Sequence, residues 1–428
     1  MRLPLRACLT GLLYLCAWGT AWAQFDQYTT PGGPAGRPED ARGRLAREVA
    51  AARYHLGPVR IAPWLGFRDV AFVKTLLATG QPAPTDLTAT LGTGLRLYLP
   101  TGSKITWTAY VLPEYVWWRQ AAGQRRLNER FGAGFHAFGT RLTVEATARR
   151  DEVQRIRTPE LPRLANARED HAVLTTELRI THKLAVYATG STLREESLLG
   201  ARDPAAALLQ VLDRREQVGR AGVRWRPVTG WLFGLGAERS KVDFGTRRPG
   251  APDRSNAGTA PFAELRYERN RLFASADVAA RSLRAAQGSD FVRYDRVTGQ
   301  ATVAYRTGAG PEVFLYGHRN LVYSILSQYA YLDAQRVGAS LHAPFGHRTR
   351  GSVYVEGGSD GYTASVSGAP DRRDGVVAFG GNFQIEIGHS ASLLLTAVRS
   401  RFNSNLPGGD RDFTSVGVTV SLAGRPTP

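Results

Sequence analysis

The chain has 428 residues, with 55 Lys or Arg against 37 Asp or Glu and a formal net charge of +18. Mean hydropathy is −0.26, and no stretch after residue 23 approaches the ~20 apolar residues of a membrane helix, which excludes a helical membrane bundle. The only cysteines, Cys8 and Cys16, lie in the leader, so the rest of the chain holds no disulfide, thiol nucleophile or Cys-based metal site.

In chain order, Arg2 and Arg6 form a charged start, Leu9 to Trp18 a short apolar run, and Ala21-Trp22-Ala23 a small-residue cleavage site. Residues 1–23 therefore read as a signal peptide cleaved before Gln24. Its loss leaves a net charge of about +16. That charge, nearly all Arg, suits an anionic membrane surface or anionic solutes, and nucleic acid is not expected as a partner of an exported chain.

Residues 24–56 read as a periplasmic segment: a Gly/Pro-rich linker, then a short helix over Arg37–Leu56 with Leu45, Val49, Ala52 and Leu56 on one face. Two readings stay open for this helix, a loosely packed lead-in, or a functional segment that acts as a plug or as a docking peptide for a periplasmic partner.

From Gly57 to Leu422 the period changes to two. Leu91, Leu95, Leu97 and Leu99 alternate with Gly92, Gly94, Arg96 and Tyr98, and Val337, Ala339 and Leu341 alternate with Arg336, Gly338, Ser340 and His342. Such alternation marks strands with one apolar and one polar face. Tight turns recur near 100–103, 138–140, 181–182, 227–230, 268–271, 307–310, 344–347 and 388–389. Longer polar stretches fall between them at 74–85, 157–170, 195–210, 246–255 and 359–373.

Short turns at one end and long loops at the other belong to outer-membrane barrels. Eight turns between an entering and a leaving strand predict an all-β, single transmembrane antiparallel up-and-down barrel of about 18 strands over residues 57–422, followed by a periplasmic tail at 423–428. Aromatic residues at strand ends (Tyr115, Trp117 and Trp118 outside; Trp225, Trp231, Tyr267 and Tyr305 inside) suggest interfacial girdles. The apolar 195–210 loop reads equally as a constriction of the mouth or as a rim cap.

A barrel of this size encloses an aqueous channel. The polar face places Arg96, Arg130, Arg141, Arg149, Arg179, Arg220, Arg224, Arg226, Arg266, Arg281, Arg306 and Arg336 along it, with Glu114, Glu145, Glu177, Glu238, Glu264, Asp277, Glu356 and Glu386 on the same side. These residues read either as an anion-favouring substrate path, with Arg220, Arg224 and Arg226 as an entry ring, or as a cross-strand salt-bridge lattice.

No metal or cofactor motif is present, and catalysis is not expected. Gly357-Gly358-Ser359-Asp360-Gly361 matches Gly-x-Ser-x-Gly but lacks the helix a nucleophile elbow needs. His342 beside Ser340 is the nearest Ser/His pair.

The last strand, Ser415-Val416-Gly417-Val418-Thr419-Val420-Ser421-Leu422, resembles the C-terminal signal by which the barrel assembly machinery recognises outer-membrane barrels. Ser415, Gly417, Val420 and Leu422 carry that pattern. The opening run Leu56-Gly57-Pro58-Val59-Arg60-Ile61-Ala62-Pro63-Trp64-Leu65, the following Leu91-Gly92-Thr93-Gly94-Leu95-Arg96-Leu97 and the Pro100-Thr101-Gly102 turn look like the putative beta-barrel porin 2 type. That resemblance implies a passive conduit in the outer membrane, among lipid and lipopolysaccharide, for secretion of an exopolysaccharide together with a periplasmic polysaccharide export protein. The alternative is a general, weakly anion-selective porin for small anionic solutes; an adhesin or barrel enzyme ranks behind both.

Overall fold

The computed structural model describes residues 41–76, 85–198, 206–245, 253–308, 310–387 and 391–422. The signal peptide, the tail, the 388–389 turn and most of the 74–85 and 246–255 loops lie outside them. Wall strands are numbered along the chain: β1 Val59–Leu76, β2 Asp86–Thr101, β3 Ile105–Val111 continued by Glu114–Trp118, β4 Arg126–Asn128 continued by Arg130–Phe138, β5 Leu142–Thr158 and β6 Leu161–Arg179. Then follow β7 Leu184–Ser197, β8 Arg214–Trp225, β9 Trp231–Phe244, β10 Asn256–Arg269, β11 Leu272–Ala285 and β12 Tyr294–Arg306. The last six are β13 Glu312–Tyr323, β14 Tyr329–Pro344, β15 Thr349–Ala364, β16 Arg373–Ile387, β17 Ala391–Ser404 and β18 Arg411–Leu422.

Each wall strand pairs antiparallel with its sequence neighbours, and β1 pairs with β18, so the sheet closes on itself with 18 strands as the turn spacing predicted. Closure leaves every backbone donor in the ladder with a partner, which a lipid environment demands. At the seam Leu65 stands opposite Leu422, and a bulge at Arg68-Asp69, where Asp69 adopts φ 53°, bends β1 into register.

The outward face is apolar through mid-height. Leu91 and Leu95 on β2, Val353 and Val355 on β15, and Val416 and Leu422 on β18 are all exposed on it. Water would penalise that area by roughly 25 cal/mol per Å², whereas lipid does not, so the chain is a porin-type barrel of the outer membrane. Trp231 stacks on Phe233 at 5.4 Å and lies tilted against Tyr267 at 4.6 Å by the inner turns, forming an aromatic band.

The structure departs from expectation in four places. The 157–170 stretch is not a loop: β5 and β6 run on to a turn at Pro159-Glu160, because their charged residues pair with each other instead of with water. The helix ends at Ala51 and not at Leu56, and Tyr54–Leu56 folds back on Val59–Ile61 as a small hairpin. The 359–373 loop starts late, since β15 continues to Ala364. Trp118 is buried facing inward and belongs to no girdle.

Candidate channel and its outer mouth

The tall β5–β6 hairpin sets the geometry of the mouth. Its turn reaches the β13–β14 connection, eight strands around an 18-strand wall and therefore nearly opposite. Buried Glu160 accepts hydrogen bonds from Ser324 Oγ and from the Ile325 amide, both at 2.6 Å. Burial pushes the Glu160 carboxyl above its ordinary range. On the other flank, Arg411 at the start of β18 donates Nε to the Pro159 carbonyl at 2.8 Å and Nη2 to Asp374 at 2.7 Å. Arg372 braces the same Asp374 at 2.9 Å.

Behind the tip lies an ionic hub. Glu195 accepts from Arg155 at 2.5 Å and Arg157 at 2.9 Å, and forms an ion pair with Arg214 at 2.8 Å. Arg157 also donates to the Leu209 carbonyl at 3.0 Å and to Asp213 at 3.1 Å, tying the hairpin to the 206–213 segment. The Ser197 amide gives Asp213 a further bond at 2.7 Å, yet burial raises its carboxyl from 3.8 to about 6.

Apolar side chains fill both sides of the strap. One cluster joins Ala165 to Leu209, Leu212, Phe291, Tyr294 and Tyr331; the other joins Ile156 to Trp118, Tyr329, Tyr362, Phe402 and Phe413. Of the apolar residues described in the 195–210 loop, Leu209 packs inward at the mouth, whereas Leu208 is exposed. In this conformation the outer mouth is occupied by packed side chains.

Below it, the inner wall is a lattice of paired charges. Arg220 contacts Asp277 at 2.5 Å and Glu264 at 3.1 Å, with its guanidinium 3.6 Å from the Phe262 ring centre. Arg224 bridges Glu177 at 2.9 Å and Glu264 at 3.1 Å above the Tyr187 ring, and Arg226 meets Glu177 at 3.3 Å. Arg281 pairs with Glu238 at 2.8 Å, and Arg336 with Asp360 at 2.6 Å. Arg130 lies between Glu114 at 3.3 Å and Asp151 at 3.5 Å, and Arg149 is 3.4 Å from Asp151.

Toward the inner rim the pairs become more exposed: Arg306 with Glu312 at 3.0 Å, Arg266 with Glu268 at 2.8 Å, and Arg179 with Glu177 at 3.8 Å. Arg141 is exposed at the inner turn, and Arg96 lies beside Tyr98. The planar guanidinium fork allows one Arg to engage two carboxylates, which a Lys point charge does less well. Such a wall presents donors and acceptors together and carries little unbalanced charge.

At the inner mouth, helix α1 (Ala41–Ala51) rests against the lumen side of the wall. Leu45 and Ala52 are buried with Tyr98, and Val49, Ala62 and Phe138 pack around them. The Tyr98 hydroxyl donates to Glu48 at 3.3 Å. The segment thus meets the inner wall and does not hang free.

Ser415 and Gly417 lie on the inner face of β18, Gly417 packed beside Ala71, while Val420 and Leu422 point outward. Ser340 Oγ lies 3.3 Å from His342 Nε2, but Ser340 is buried between Phe314 and Tyr354 in continuous ladder, which leaves no free backbone amide for an oxyanion. The Gly357–Gly361 motif is mid-strand, with Asp360 buried against Arg336. Among the described residues no His, Cys, Asp and Glu cluster could hold a metal.

Sequence reasoning missed Glu160, Asp374 and Arg411. The available signal was the Pro159-Glu160 turn between two alternating runs; nothing local pointed to its partners.

No family profile matches the chain, and no curated protein matches it. Among solved structures, it is similar to Pseudomonas aeruginosa OccK2 (OpdF), with 12% identity, 85% of this chain and 98% of that one covered, and a TM-score of 0.51. Pseudomonas aeruginosa OccK9 (OpdG) follows with 12% identity, 85% and 98% coverage and a TM-score of 0.49. Acinetobacter baumannii OccAB3 shows 10% identity, 85% and 99% coverage and a TM-score of 0.48. The OccK2 likeness is one of fold: a closed porin-type barrel.

Proposed function

We propose that this protein is an outer-membrane channel for small polar solutes, with entry controlled by the β5–β6 strap. The observation that carries this reading is a closed 18-strand wall, apolar outside and lined inside by paired Arg and carboxylate groups, whose mouth is crossed by its own hairpin. A wall that offers both donors and acceptors suits solutes with several hydroxyls or with both charges. Polysaccharide secretion, implied by the porin resemblance, fits less well: a polymer needs a continuous wide bore, and here both mouths carry chain segments. The passage role of Arg220, Arg224, Arg226 and the other inward arginines belongs to this proposal. Swelling of proteoliposomes containing the full chain tests it: amino acids and monosaccharides should enter while dextran is excluded. Loss of surface polymer on gene deletion, with solute uptake intact, would restore the secretion reading.

A further inference from the structure

Two guanidiniums stand on the lipid-facing side of the wall. Outward positions of β17 run Ala391, Leu393, Leu395 and Ala397, then Arg399, Arg401 and Asn403 toward the outer rim. At ~3.3 Å per residue and ~40° tilt, Arg399 and Arg401 sit roughly 20–25 Å above Ala391, at the top of an apolar band of about 25 Å. That is the headgroup level of the outer leaflet. Some outward charges near this height pair with each other, as Arg150 with Asp170 at 2.5 Å and Lys241 with Asp243 at 2.9 Å do, while Arg239 on β9 is exposed on the same face. Arg399 and Arg401 form no such pair among the described residues; Asp412 stands opposite Arg401 in register, so the patch keeps a positive balance.

Both arginines line a groove of about 360 Å³ together with Val377, Phe379 and Asn403. The wall beside and above it carries mostly glycine, with Ser359 among the glycines accepting a hydrogen bond from exposed Arg373 at 3.4 Å. Gly357 lies opposite Val377, and Gly361 and Gly375 follow outward. A Cβ on Gly361 would meet nothing within 4 Å, and one on Gly375 or Gly357 would first touch an atom at 3.8 Å. The strip therefore has room for a bulky headgroup, with Phe379 and Ala397 beneath to contact an acyl chain.

We propose that Arg399 and Arg401 bind the phosphate monoester of an outer-leaflet lipid with a bulky headgroup. Arginine suits this because its fork donates two parallel hydrogen bonds to phosphate and keeps its charge. The test is native mass spectrometry of the full chain in detergent, titrated with diphosphorylated lipid A, with fully dephosphorylated lipid A, and with inorganic phosphate as competitor.

Diphosphorylated lipid A should bind, and the dephosphorylated lipid should bind far less. R399Q/R401Q should weaken binding about thirtyfold, the effect of two guanidiniums near a charged lipid surface. Gly375→Leu keeps the charge and narrows the strip, so it should also weaken binding, whereas D412N should tighten it. Heat-modifiable electrophoretic mobility verifies that each variant is folded. Equal binding of the two lipids, or unchanged binding by both R399Q/R401Q and Gly375→Leu, overturns the proposal. Displacement by inorganic phosphate at concentrations comparable to the lipid also overturns it, since the site would then hold a free ion and not a lipid.

Discussion

Ser324 donates its hydroxyl to Glu160 at 2.6 Å, joining residues 164 positions apart across the outer mouth of the barrel. This contact and the Arg411–Pro159 bond fix the strap at two separate points of the rim.

Replacing 155–165 by Asn-Gly should remove the strap and leave the wall, since Gln154 and Asn166 are register partners that a two-residue turn can join. Single-channel conductance in planar bilayers should rise several-fold. Glu160→Ala should lengthen open times without changing the open conductance. Identical conductance after removal of the strap would mean that it does not limit flow.

Docking of the strap should depend on pH. Burial raises Asp213 from 3.8 to about 6 and also raises Glu160, so the docked state favours the protonated forms. The stability this contributes is complete below the undocked value and is lost as pH rises through the docked one. Open probability should therefore increase between about pH 4 and pH 6, and Asp213→Asn should flatten much of that change. Recordings across a pH series check it; a mouth that opens on acidification would reverse the sign and refute the assignment.

Charge selectivity should respond oppositely to the two halves of the lattice. Glu264→Gln releases Arg220 and Arg224 from a shared partner and should shift the reversal potential in a KCl gradient toward chloride. Replacing Arg220, Arg224 and Arg226 together by Gln strands Glu177, Glu264 and Asp277 and should shift it toward potassium. Removing one partner of a buried pair costs about 3–5 kcal/mol, so urea unfolding in lipid vesicles should accompany both measurements.

The seam offers a structural test. A Cβ on Gly417 would lie 2.8 Å from Ala71 Cβ, too close for two packed carbons. Gly417→Val should lower the yield of heat-modifiable folded barrel in vesicles, while Val416→Leu, outward and exposed, should not.

The closed 18-strand wall and its pattern of short inner turns were legible in the sequence. A strand between lipid and water imposes a period of two on the residues themselves, and a tight turn uses Gly, Pro or Asn within four positions, so both signals are local. Leu422 facing outward beside Leu65 follows from that pattern. Residues 157–170 misled because alternating charges read as a solvated loop, whereas they pair with charges on neighbouring strands: Arg157 with Glu195 and Arg168 with Glu152. Which carboxylate each arginine meets, and that Glu160 crosses the mouth to Ser324, depends on wall strands far apart in sequence. Closure of the sheet brings those strands together, and only the tertiary structure decides it, because no local period records a distance across the barrel.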